Sequence, residues 1–98
     1  MRKYELAVVL DPDLETKEKD KILEEIKKGI EKAEGKVVKL DEWGVKKLAY
    51  SIKKSGKKFT KALYFLFNLE MPAGFPAEIG TKLRLHERVL RYLLVKEE

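Results

Sequence analysis

Apolar and polar positions alternate at the start of the chain. From Tyr4 to Leu10, the residues Leu6, Val8 and Leu10 fall on one side of an extended segment and Glu5, Ala7 and Val9 on the other. That is the period of a strand, and the cluster Asp11-Pro12-Asp13 ends it. The period then changes. Ile22, Leu23, Ile26, Ile30 and Ala33 fall at helical spacing, which predicts a helix from about Thr16 to Glu34. Gly35 is placed to cap its C-terminus, and Asp13 and Thr16 both qualify as N-caps.

Val37 to Ile52 reads as a long second strand that carries the alternation Leu48, Tyr50, Ile52. Glycine inside a strand pattern often marks a bulge, so a bend is expected near Trp43-Gly44. Lys53 to Lys58, centred on Ser55-Gly56, is the expected hairpin loop. In a third strand, Ala62 to Leu69, Phe65, Phe67 and Leu69 point one way and Tyr64, Leu66 and Asn68 the other, before Met71-Pro72 closes it. A second helix is weaker, from about Pro76 to Leu83, because Gly80 costs about 1 kcal/mol against alanine. Val89 to Val95 is the last strand.

The order β-α-β-β-α-β predicts an α+β, ferredoxin-like βαββαβ sandwich: a four-stranded antiparallel sheet with two helices on one face. Strands one and three take its centre. A length of 98 residues fits one such domain over residues 1–98. The helices should cover Leu6, Val8, Leu10, Phe65, Phe67, Leu69, Tyr92 and Leu94, which leaves Val9, Tyr64, Leu66, Arg91, Leu93 and Val95 on the open face. Scattered surface leucines are normal, but a contiguous apolar face favours a protein interface.

Charge sharpens this picture. Residues 36–61 hold nine lysines against Asp41 and Glu42, a local +7 in a chain whose net charge is +5. A focused positive field is the footprint of a polyanion, nucleic acid being the commonest; a lysine-rich hairpin can also simply guard a sheet edge. The first helix region, 15–34, has six lysines and seven acids and makes a poor nucleic-acid face. Across the chain there are 18 Lys and 4 Arg, no glutamine and a single asparagine, Asn68, a composition in keeping with a thermophile.

Several chemistries are excluded or disfavoured. Without cysteine there is no disulfide or thiolate metal site, and with His86 as the only histidine no His-pair zinc site. No apolar run nears the roughly 20 residues that span a bilayer, and the N-terminus lacks a signal-peptide core, so residence in the cytosol is the default expectation. No metal, cofactor, small-molecule substrate or catalytic role is expected.

Three segments coincide in order and spacing: Met1-Arg2-Lys3-Tyr4-Glu5 leading to Leu10-Asp11-Pro12, then Trp43-Gly44-Val45-Lys46-Lys47-Leu48-Ala49-Tyr50-Ser51-Ile52, then Leu83-Arg84-Leu85-His86-Glu87-Arg88-Val89-Leu90-Arg91-Tyr92. Together they resemble the bacterial small-subunit ribosomal protein six family. The resemblance implies a non-enzymatic, ferredoxin-like protein of the small ribosomal subunit. It implies binding to the central domain of small-subunit (16S) rRNA as a heterodimer with ribosomal protein eighteen. It carries RNA binding to Arg2, Lys3, Lys46, Lys47, Arg84, Arg88 and Arg91. Two departures stand out. The stretch Ala73 to Lys82 is less helical than the family's second helix, and the C-terminal tail is cut to Glu97-Glu98.

The apolar open face and the neighbouring second strand nominate Trp43, Leu48, Tyr50, Tyr64 and Leu66 as partner-binding residues. Arginines add bidentate phosphate contacts and stacking to the charge that lysines supply. The runner-up is a free-standing RNA-recognition-motif-like protein, which shares the element order. Its third strand should carry a basic-Gly-aromatic run, whereas Phe59-Thr60-Lys61-Ala62-Leu63-Tyr64-Phe65-Leu66-Phe67 has no glycine and only Tyr64 as an open-face stacker. An acylphosphatase or small-molecule sensor would need convergent polar groups around a pocket, and one histidine beside Glu87 is a poor start.

Overall fold

The computed structural model describes residues 2–54, 56–72, 74 and 76–97, with the backbone only at 97. Its elements are β1 (Arg2–Leu10), α1 (Thr16–Lys32), β2 (Lys36–Lys54), β3 (Lys57–Met71), α2 (Ala77–Leu85) and β4 (Val89–Glu97). The strands form one antiparallel sheet in the order β2-β3-β1-β4, so β1 and β3 are central as expected. Both strands beyond the hairpin loop are longer than the sequence pattern indicates: β2 runs on to Lys54 and β3 begins at Lys57. Ser55 of the expected loop, Ala73 at the head of the second-helix stretch and Glu98 of the tail lie outside the described residues.

One face of the sheet carries the main core. Leu6, Val8 and Leu10 of β1 and Phe65, Phe67 and Leu69 of β3 pack with Ile22, Leu23, Ile26 and Ile30 of α1 and with Ile79 and Leu83 of α2, all buried. Each such side chain contributes roughly 1.5–3 kcal/mol of burial, enough to hold α1 despite its strongly charged outer face. Tyr92 and Leu94 join this core partly buried, as expected.

The helix ends differ from the sequence expectation. Glu15, not Asp13 or Thr16, is the N-cap of α1, and its side chain makes no capping bond. The Asp13 amide instead donates to Asp11 Oδ1 at 2.9 Å, closing a local turn. At the other end, Glu34 takes the left-handed conformation (φ 64°). Its amide donates to Glu31 O and that of Gly35 to Ile30 O, a Schellman-type ending. Gly35 is glycine for a different reason: a Cβ there would run into Met71 Sδ and lie 3.0 Å from Glu70 O.

A second, smaller core decides the shape of the hairpin. β1 pairs with β3 only over Leu63–Met71, so residues 45–62 form a two-stranded ribbon beyond the end of β1. Such ribbons are marginal alone. This one packs back on the body: Phe59, Ala62, Leu48 and Ile52 meet Val9 of β1, Tyr64 of β3 and Leu90 of β4. Leu90 is available because the β1–β4 register shifts there, with Val9 opposite Arg91 and Leu10 opposite Val89. Val9, expected on the open face, is therefore buried at 7% exposure.

Candidate nucleic-acid interface

The ribbon 45–62 contains seven lysines and no acidic residue. Strand pairing sets them against one another: Lys47 lies opposite Lys61, Lys53 opposite Lys58 and Lys54 opposite Lys57. Like charges directly across an antiparallel pair repel, so the ribbon stores unfavourable electrostatics that an anion would relieve. Lys46, Lys47, Lys53, Lys57, Lys58 and Lys61 are all exposed. Residue type and pairing together make this the candidate polyanion surface.

Two bulges shape it. The expected one is present at Trp43-Gly44, where Gly44 has φ 77° and the register shifts between Glu42 and Gly44. There the ammonium of Lys46 stands 5.3 Å from the centroid of the Trp43 ring, a cation–π contact. The second bulge lies between Lys47 and Ile52, five steps along β2 against two along β3 from Lys61 to Phe59. It breaks the alternation read in the sequence. Leu48 and Ile52 turn into the second core, and Tyr50 stands 87% exposed.

The sequence-nominated basic residues do not form one patch. Arg2 and Lys3 begin β1, opposite Met71 and Glu70, while the ribbon lies beyond the other end of that strand. Eight residue steps of strand separate the ends by about 26 Å. Arg84 and Arg91, in contrast, converge with Lys54 of the ribbon around a depression of about 200 Å³.

Arg88 has an intramolecular task. Its guanidinium donates to Asp11 Oδ2 at 2.9 Å and pairs with Glu18 at 3.4 Å. Asp11 is 2% exposed, and its amide also donates to Arg88 O. The hydrogen bond to Asp11, with Glu18 adding coulombic attraction, holds the Arg88 pKa above its ordinary value, so the cation persists at every physiological pH. The arginine ties β4 to the β1 terminus and the first turn of α1. His86, the C-cap of α2, accepts from the Arg88 amide through Nδ1 at 3.1 Å and so belongs to the same turn. This knot was not legible in the sequence, where a distance of 77 residues separates Asp11 from Arg88.

The expected partner-binding residues divide as well. Leu48 and Tyr64 are half-buried in the second core, Trp43 is half exposed beneath Lys46, and Leu66 remains on the open face. Register places Leu66 opposite Ala7 and Ala7 opposite Leu93, an apolar row across β3, β1 and β4. Leu93 is 61% exposed and Val95 46%. On the helical side, a groove of about 310 Å³ between α1 and α2 is floored by Ile22, Ile26, Gly29 and Ile79. Among the described residues, no helix is long and apolar enough to cross a membrane.

The chain is similar to known proteins over nearly its whole length. Residues 3–96 match the family described as Ribosomal protein S6. Small ribosomal subunit protein bS6 of Clostridioides difficile is 38% identical over 95 residues, covering 97% of this chain and 98% of that protein. The bS6 protein of Caldanaerobacter subterraneus is 35% identical over 98 residues, covering 100% and 99%. The crystal structure of 30S ribosomal protein S6 from Thermotoga maritima superposes with a TM-score of 0.85 at 26% identity, covering 98% of this chain and 87% of that one. A family that spans nearly the whole chain, and relatives of matching length, leave one conclusion: the chain belongs to the ribosomal protein S6 family, non-enzymatic structural proteins of the small ribosomal subunit in the cytoplasm.

Proposed function

We propose that the protein binds the central domain of small-subunit (16S) rRNA together with ribosomal protein eighteen. The observation that carries the reading is the acid-free lysine ribbon with its three like-charged cross-strand pairs. Phosphates are the natural counterions for such an array, and their neutralisation makes binding strong and salt-sensitive. Lys46, Lys47, Arg84 and Arg91 supply the ribbon-side contacts, and Arg2 and Lys3 a separate contact at the far end of β1. Arg88 supports the site through Asp11 and reaches RNA only with whatever donors that pair leaves over. Ribosomal protein eighteen docks on the row Leu66–Ala7–Leu93, with Trp43 and Tyr50 at its margin and Leu48 and Tyr64 beside it in the second core.

The runner-up, a free-standing RNA-recognition-motif-like protein, draws no support from the open face, where Tyr64 is half-buried against the ribbon. The experiment is titration of a central-domain 16S rRNA transcript with and without ribosomal protein eighteen. High affinity is expected only with both proteins present, and Leu66→Asp should prevent heterodimer formation by calorimetry while leaving the melting temperature intact. Equal affinity from this chain alone would overturn the heterodimer. The lysine- and glutamate-rich, glutamine-free composition further supports a thermophilic source, with a melting temperature above about 65 °C in scanning calorimetry.

A further inference from the structure

Lys54 differs from the other ribbon lysines. It is half-buried where Lys53, Lys57 and Lys58 are exposed. Its ammonium donates to the backbone carbonyl of Arg84 at 2.9 Å. That carbonyl is in the last turn of α2, which ends at Leu85, so it is among the acceptors a helix leaves without an intrahelical partner. The Arg88 amide, which would have served it in a longer helix, donates to His86 Nδ1 instead. The negative end of the helix dipole adds attraction for a cation there. Lys54 thus joins the tip of the ribbon to the C-terminus of α2, two residues beyond the Ile52–Phe59 pair, which with Leu48 packs the body of the ribbon on Val9 and Leu90.

We propose that Lys54 is a latch: a positioning residue that holds the lysine ribbon against α2 and β4, so that the exposed lysines and the nearby Arg84 and Arg91 present one preorganised surface. Its charge is spent on a backbone carbonyl and not on phosphate. A tip freed from α2 would have to be ordered on binding, which lowers affinity without removing any contact. As a device for RNA binding, this role rests on the function proposed above; as a structural tether it stands independently.

The two are tested separately. Amide hydrogen exchange across residues 46–61 is measured in the free protein for wild type, Lys54→Met, Lys54→Arg and Lys57→Met. Lys54→Met keeps the apolar stem and should speed exchange of the ribbon tip, residues 53–58, severalfold, with α1 unchanged; Lys54→Arg should restore protection. Unchanged exchange in Lys54→Met, or equal acceleration in Lys57→Met, would overturn the latch. Binding of the central-domain 16S rRNA transcript is then followed against salt, in the presence of ribosomal protein eighteen. Lys54→Met should weaken binding roughly three- to tenfold at every salt concentration. Its log–log salt slope should match wild type. A slope reduced by about 0.7–0.9 would make Lys54 a phosphate contact and overturn the proposal. If the wild-type pair binds no RNA, the proposed function fails, and the exchange measurement still decides the tether.

Discussion

Glu34 holds a left-handed conformation that glycine would adopt at less cost, immediately before a glycine that does not need one. The pair separates two demands that a sequence reader tends to merge, a positive φ and a lack of room. Glu34→Gly should stabilise the protein by about 1 kcal/mol, read from the urea midpoint, because the strain of a β-carbon in that region disappears. Gly35→Ala should do the reverse, at about 1–3 kcal/mol, since the new methyl meets Met71 in a closed core and the Glu70 carbonyl. Chain order could not reveal this, because the crowding comes from β3, some 35 residues further on. Arg88 makes the same point at a charged position. The sequence offers it as a free cation, and the fold gives it Asp11.

At the level of elements, strands and helices follow from periodicity, and their contacts with one another do not. The alternation in β1 and the helical spacing of Ile22, Leu23, Ile26 and Ile30 suffice to predict both elements and the face each buries. The ribbon is harder. Its lysines read as a loop because charge obscures the alternation, while the pairing of Lys53 with Lys58 and Lys54 with Lys57 continues the ladder almost to its turn. What sustains that ladder is the second core. Phe59→Ala should therefore cost about 3 kcal/mol and raise amide exchange in residues 46–61 well before it affects α1. Uniform acceleration across the molecule would show that the ribbon is no separate unit.

For the whole molecule the relevant quantity is where charge lies. Replacing Lys46 and Lys47 by alanine should lower affinity for the central-domain transcript and reduce the salt slope by about 1–2, with little change in melting temperature, because both side chains are exposed. Affinity that stays constant from low to physiological salt would refute the electrostatic account. The two ends of β1 also predict a division: Arg2→Ala and Lys46→Ala should act additively, being too far apart to share a phosphate.

The sequence alone determined the element order, the helix-covered face of the sheet, the focused positive charge and, through three short segments, the family. Each of these depends on periodicity, composition or local spacing, which a linear chain displays directly. Only the tertiary structure decided that Val9 is buried, that Tyr50 parts from Leu48, that Arg88 belongs to Asp11 and that Lys54 is tied to α2. Those outcomes turn on bulges and register shifts. A single inserted residue reverses which way every following side chain points, and the energy that selects it comes from partners far away in sequence.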